Sequence, residues 1–215
     1  MFVLDSGVVV SSADTRTHWD RAYRRDPAEL SWYQPEPVVS LELIDELAVA
    51  PEHGVVDVGG GTSSLAGRLL ERGFRDVTVL DVSPVALAAA RARLGARGAE
   101  VTWLERDVRS WRPERRFDLW HDRAVLHFLV DPGDRRRYLD TLAAALAPGG
   151  AVIVATFALD GPERCSGLPV VRYDGSALGA LLGPAFELVV ERREEARTPS
   201  GTMQPFTWAA FRHTP

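Results

Sequence analysis

The chain contains no lysine; all 25 of its basic residues are arginine. That excludes Schiff-base chemistry and any phosphate loop of the GxxxxGK[S/T] kind. Cysteine is almost as scarce. Cys165 is the only one, so no intrachain disulfide can form, and a reducing, cytoplasmic setting is expected. No CxxC or HExxH spacing occurs, and His18, His53, His121, His127 and His213 are scattered, so no metal site is expected. No apolar run approaches the roughly 20 residues of a membrane span. The opening MFVLDSGVVVSSADT has no basic region and reads as a flexible arm over 1–14 rather than a signal peptide. A net charge of −5 argues against nucleic acid as a partner.

What is present suits one soluble domain over 15–215, with 46% hydrophobic and 26% charged residues. Residues 15–50 are a cover rich in aromatics: Trp19, Tyr23, Trp32 and Tyr33, with Trp19 and Tyr23 on one helix face. A helix is expected over Val38–Leu47. From 51 to 157, strand and helix alternate. Short apolar runs at Val55–Val58, Val77–Leu80, Val101–Glu105, Phe117–His121 and Ala151–Phe157 read as strands. Helical runs follow Ser63 or Ser64 and Ser83-Pro84, and fall at Ala124–Leu129 and Arg135–Leu146. This alternation predicts an α/β fold with a doubly wound, mainly parallel sheet. From 158 to 215 the pattern becomes a loop, a helix near Ser176–Leu182, and two strands, Phe186–Glu194 and Gln204–Arg212, around the turn TPSG.

The stretch 57-DVGGGTSS-64 sits where such sheets bind ligands, outside the carboxyl ends of the strands. A tight turn with no ligand is the plain alternative. A dinucleotide fingerprint needs glycine at the sixth position, where Ser64 stands. Asp57 would also face a pyrophosphate with like charge. S-adenosylmethionine has no phosphate and carries an ammonium and a sulfonium, both of which a carboxylate attracts. Asp81 closes the second strand, where a carboxylate can accept both ribose hydroxyls. Val82 can pack on the adenine, and Asp107, in ERDV with Val108, can accept from its amino group.

DVGGGTS, LDVS, ERDV, FDLWHD and LAPGGAVIV, in this order, resemble the class I S-adenosylmethionine-dependent methyltransferases over roughly 50–157. Ser63 replaces the family's third loop glycine. The resemblance implies a seven-stranded sheet with an antiparallel last strand, and helices on both faces. The cover HWDRAYRRDPAELSWYQ is similar to that of a small bacterial group related to the lysine methyltransferases, and more distantly to thiopurine- and tellurite-type enzymes. Asp122-Arg123-Ala124 stands where the lysine enzymes carry aspartate-lysine-glycine and keeps only the aspartate.

The expected function is methyl transfer to a small-molecule acceptor. Alternatives are a protein lysine methyltransferase and a non-catalytic S-adenosylmethionine-binding protein; a nicotinamide-dependent oxidoreductase is weakened by Asp57 and Ser64. The expected cofactor site is Trp19, Trp32, Tyr33, Asp57, Gly59, Gly60, Gly61, Asp81, Val82, Asp107, Val108 and His121. His121, Asp122 and His127 follow the fourth strand and are the candidate catalytic residues, with His121 as base if the acceptor must lose a proton. Arg123 is read as a partner for Asp107 or Asp122, or as a hold for an anionic substrate. Cys165 lies in a loop expected near the acceptor. A monomer or homodimer is expected, with no membrane partner.

Overall fold

The computed structural model describes residues 12–26, 30–199 and 201–214. Seven strands form one sheet: β1 Val55–Val58, β2 Val77–Asp81, β3 Val101–Glu105, β4 Phe117–Arg123, β5 Leu146–Phe157, and the hairpin β8 Phe186–Arg197 with β9 Met203–His213. A two-stranded ribbon, β6 Arg164–Cys165 and β7 Leu168–Pro169, lies outside it. The sheet order is β3-β2-β1-β4-β5-β9-β8. The first five strands pair in parallel; β9 runs antiparallel to both β5 and β8. The chain builds outward from β1 to β3, then returns to lay β4 on the other side of β1. That reversal opens a crevice at the carboxyl ends of β1 and β4.

β1 and β2 are buried along their whole length, which is why they read as mainly apolar runs, interrupted by Asp57 and Thr78, rather than alternating ones. Helices cover both faces: α1 Ser12–Tyr23, α2 Val38–Glu46, α3 Leu65–Glu71, α4 Pro84–Leu94, α5 Pro132–Ala145 and α6 Gly175–Leu182. One core packs Ile44, Leu69, Ile153 and Trp208. The other packs Trp120, Tyr138, Leu142 and Phe211. No helix among the described residues is long and apolar enough to cross a membrane.

The structure departs from the sequence reading in several places, among them the ribbon inside the expected loop and β8 running on to Arg197. Residues 12–14, expected in the arm, belong to α1; residues 1–11 lie outside the described set. The expected helix over Ala124–Leu129 is only a 3₁₀ turn at Leu126–Phe128, and β4 runs on to Arg123. Ala124 sits at φ +72°, a left-handed conformation that breaks a helix. Helix α5 starts three residues early because Asp131 caps it, accepting from Asp134 N at 3.0 Å. β5 starts at Leu146 because that residue already pairs with Phe117, and the register then slips across Pro148-Gly149-Gly150.

A buried relay ties α5 to β4. Trp120 Nε1 donates to Tyr138 Oη at 2.9 Å, and Tyr138 Oη donates to Asp122 Oδ2 at 2.7 Å. All three side chains are fully buried. Tyr138→Phe leaves the indole donor and the carboxylate each short of a partner, so it should lower unfolding free energy by about 1–3 kcal/mol. Chemical denaturation measures this; a midpoint equal to that of the native protein would mean the relay contributes nothing.

Candidate functional site

The glycine loop leaves β1 by a turn that only glycine fits well. Gly59 and Gly61 lie at φ +64° and +51°. A Cβ on Gly61 would stand 2.2 Å from Tyr23 Oη, and one on Gly59 would stand 2.0 Å from Val125 Cγ2. The loop is therefore closely covered by α1 on one side and the segment after β4 on the other.

Asp57 lies beneath this loop rather than standing free at its mouth. β1 and β4 run in register, Asp57 opposite His121. Asp57 Oδ1 accepts from His121 Nδ1 at 2.7 Å, and His121 Nε2 lies 3.0 Å from Ser40 Oγ on α2. With the carboxylate ionised, Nδ1 carries the hydrogen and Nε2 accepts from the serine hydroxyl. His121 is 2% exposed and both of its nitrogens are engaged. The structure thus corrects its expected availability as a base: it holds Asp57 in place. Asp57 and His121 both line a small cavity of about 50 Å³ with Tyr33, Ser40 and Gly60.

Asp81, at the end of β2, pins the loop. Its Oδ2 accepts from Gly61 N at 2.9 Å and its Oδ1 from Ser83 N at 2.8 Å. Burial raises its carboxyl to about 7, against the pull of those two amides. Ser83 caps α4 through Ala86 N, and its hydroxyl also donates to Asp20 of α1 at 2.6 Å. Asp81, Val82, Asp107 and Val108 border a larger cavity of about 220 Å³. Its cover is aromatic. Trp19 packs against Trp32 at 5.7 Å and Phe128 at 5.0 Å, while Tyr23 meets Trp32 at 5.9 Å. Tyr33 lies apart from these, 36% exposed and bordering only the smaller cavity.

Other expected residues find different partners. Asp107 is clamped by Arg109, whose Nη2 reaches Oδ2 at 2.5 Å and whose Nη1 reaches Asp134 at 2.9 Å. Arg123 pairs with neither Asp107 nor Asp122; its Nη1 donates to Trp32 O at 2.9 Å. Asp122 is fully buried and holds the turn after β4, accepting from Val125 N, Leu126 N and Tyr138 Oη. Burial raises its carboxyl to about 6. It faces the helix α5 side, not a cavity, so its catalytic reading is corrected to a structural one. His127 is also fully buried, packed at 4.3 Å on Phe128 and 5.0 Å on Phe157, with its pKa lowered to about 3 by burial. It borders neither cavity. Cys165 does border the larger one, its thiol pushed up to about 11 by burial.

Sequence reasoning missed Ser40, Asp20, Arg109 and Asp134. Arg109 was within reach, since an arginine two residues after a carboxylate at a strand end can fold back on it. Ser40 and Asp20 come from helices distant in the chain and left no local signal. Among the described residues no cluster of potential metal ligands forms, and each buried carboxylate of the site has a protein donor.

A profile of the methyltransferase domain family matches residues 55–150, the stretch from β1 to the start of β5. EEF1A lysine methyltransferase 4 of Mus musculus is 29% identical over 175 residues, spanning 74% of this chain and 67% of that protein. Trans-aconitate 2-methyltransferase of Pseudomonas aeruginosa is 33% identical over 141 residues, 65% of this chain but 47% of the relative's length. In fold, a methyltransferase from Anabaena variabilis superposes with a TM-score of 0.74 at 17% identity over 99% of both chains. The 1,6-didemethyltoxoflavin-N1-methyltransferase of Burkholderia thailandensis gives 0.70 at 23% identity, over 100% of this chain and 93% of that one. Motif order, strand order and sequence kinship agree: residues 55–150 are a methyltransferase domain, carried on a sheet of the Rossmann-like methyltransferase kind.

Proposed function

We propose that the chain transfers a methyl group from S-adenosylmethionine to a small-molecule acceptor held in the larger cavity. The observation that carries this reading is the position of Asp81. Its carboxyl fixes a left-handed glycine loop from one side and borders an aromatic-covered cavity on the other. A carboxylate has about four acceptor sites, so after Gly61 N and Ser83 N the group retains capacity for both ribose hydroxyls. Carboxylates and indoles border the crevice beside Arg106, Arg109 and Arg123, and no phosphate-binding lysine exists in the chain.

In this reading Val82 and Val108 pack on the adenine, and Asp107, held by Arg109, accepts from its amino group. The glycine loop lies along the methionine portion. Asp57 keeps Oδ2 for the ammonium, since His121 occupies Oδ1. Trp19 and Trp32 offer their faces to the sulfonium through cation–π attraction. Tyr33 and Gly60 border the methionine end. When bound, S-adenosylmethionine supplies a methyl group already activated by its cationic leaving group. The protein's own contribution is alignment and exclusion of water, and alignment alone can supply about 7–11 kcal/mol. His121 has both nitrogens engaged and His127 borders neither cavity, which leaves His18, bordering the larger cavity with Nε2 unpartnered among the described residues, as the histidine placed to take a proton.

The cavity is bounded by α1, Phe128 and the ribbon residues Cys165, Leu168 and Pro169. Enclosure of this kind supports a small acceptor. So do the relatives named for trans-aconitate and 1,6-didemethyltoxoflavin. The relative named for lysine on EEF1A aligns over more of the chain and keeps a protein lysine as the second reading. Release of S-adenosylhomocysteine, measured across small molecules and polypeptide lysines, separates the two. Tight product binding with no turnover on any acceptor would instead favour a binding protein.

Two outcomes test the cofactor site. Asp81→Ala should weaken S-adenosylhomocysteine binding by roughly 1–3 kcal/mol, through lost hydrogen bonds to a charged group. Calorimetry with an unchanged affinity would take Asp81 out of the site. The second is a pH dependence. The folded carboxyl titrates at about 7, above its ordinary 3.8. The folded protein therefore holds an extra proton between those values, and this group costs stability as pH rises through that window. Ligand hydroxyls donate to the ionised form, so affinity should rise several-fold from about pH 6 to about pH 8. The rise should flatten in Asp81→Asn; the same slope in that variant would assign the titration elsewhere.

A further inference from the structure

Among the described residues, Arg123 has no ion-pair partner for its charge. It ends β4 and borders both cavities. A guanidinium has five N–H donors, and here Nη1 alone is used, toward the Trp32 carbonyl. Nε is enclosed with no acceptor. Nη2 has no acceptor among the described residues either. The charge lies 5.0 Å over the Phe206 ring, and burial lowers its pKa. Among the described residues no carboxylate forms an ion pair with it. Glu194 is the strongest opposing charge, but its oxygens accept from Gln34 Nε2 at 2.7 Å and Trp208 Nε1 at 2.8 Å. Arg109, bordering the same cavity, shows the contrast, with carboxylates at 2.5 and 2.9 Å.

A desolvated charge without a partner is costly, and such groups are retained where something else completes them. The position says what. Arg123 pairs with Ala155 of β5, and its guanidinium lies over Phe206 on β9 while bordering both the glycine-loop cavity and the larger one. Cys165, Leu168 and Pro169 of the ribbon border the same cavity as Arg123, together with the aromatic rings of Trp32 and Phe128.

We propose that Arg123 is the specificity-determining residue for the acceptor, and that the acceptor is a small carboxylate with a flat apolar body. The guanidinium takes the carboxylate by charge-assisted hydrogen bonds, and the aromatic walls take the body. This deepens the methyl-transfer reading and rests on it. It also sets the selection rule: a neutral amide of the same shape loses the charge, and an ammonium meets repulsion.

The test uses the full chain saturated with S-adenosylhomocysteine, titrated with 4-hydroxycinnamate, its primary amide, and tyramine. The native protein should bind the acid roughly tenfold more tightly than the amide, and tyramine more weakly still. In Arg123→Met the acid and amide should converge to within about twofold, while S-adenosylhomocysteine affinity stays within about threefold. Arg123→Lys, which keeps the charge but not the fork, should retain part of the preference. Equal binding of acid and amide by the native protein, or no binding of the acid, overturns the proposal. So does an acid preference that survives in Arg123→Met. If Arg123→Met costs S-adenosylhomocysteine tenfold or more and spares the acid preference, the guanidinium serves the cofactor's own carboxylate and the proposal fails. Failure of the native protein to bind S-adenosylhomocysteine at all would strike the methyl-transfer reading instead.

Discussion

Asp81 is held between two backbone amides, and most of the site's geometry follows from that clamp. Gly61 N fixes the end of the glycine loop, and Ser83 N fixes the start of α4. Ser83 then caps α4 and holds Asp20, so the same node also anchors the covering helix. A carboxylate buried to 4% exposure is costly without donors. Two amides aimed from separate elements supply them, and in doing so they lock those elements together. The raised proton affinity is the residue of this bargain: burial outweighs the two hydrogen bonds.

A second layer sits under the first. Asp57, His121 and Ser40 form a chain across β1, β4 and α2 that engages both nitrogens of His121. Asp122, Tyr138 and Trp120 form another on the opposite face of β4. Successive side chains of a strand point to opposite faces, so His121 and Asp122 serve different cores from adjacent positions. Polar groups placed beside a crevice look catalytic in a sequence. Here they brace the strand that carries Arg123 to the cavity.

The parallel strands were legible because a sheet buried on both faces demands mainly apolar runs, as at Val55–Val58 and Val77–Leu80. The β8–β9 hairpin was legible from its turn. The segment after β4 was not, since nothing local says that Asp122 will spend its oxygens on Val125 N and Leu126 N or that Ala124 will turn left-handed. Within the site, Gly59, Asp81, Val82, Trp19 and Trp32 border the larger cavity, while Tyr33 borders the smaller one. What the motifs could not carry was the state of each polar group. Whether Asp57, Asp107 or His121 is free depends on Arg109, Ser40 and register across strands, which are matters of packing.

The position of β9 has a bearing on how the molecule is assembled. It follows β8 in the chain yet lies inside it, joined to β5 on one side and to β8 on the other. Until β9 has been synthesised, β5 presents a bare apolar edge, and β8 has nothing to join. Residues Ile153, Ala155 and Phe157 of that edge are fully buried in the finished protein. A nascent chain halted before this hairpin therefore exposes an open template for pairing with its neighbours. Its protection from aggregation arrives with one late strand.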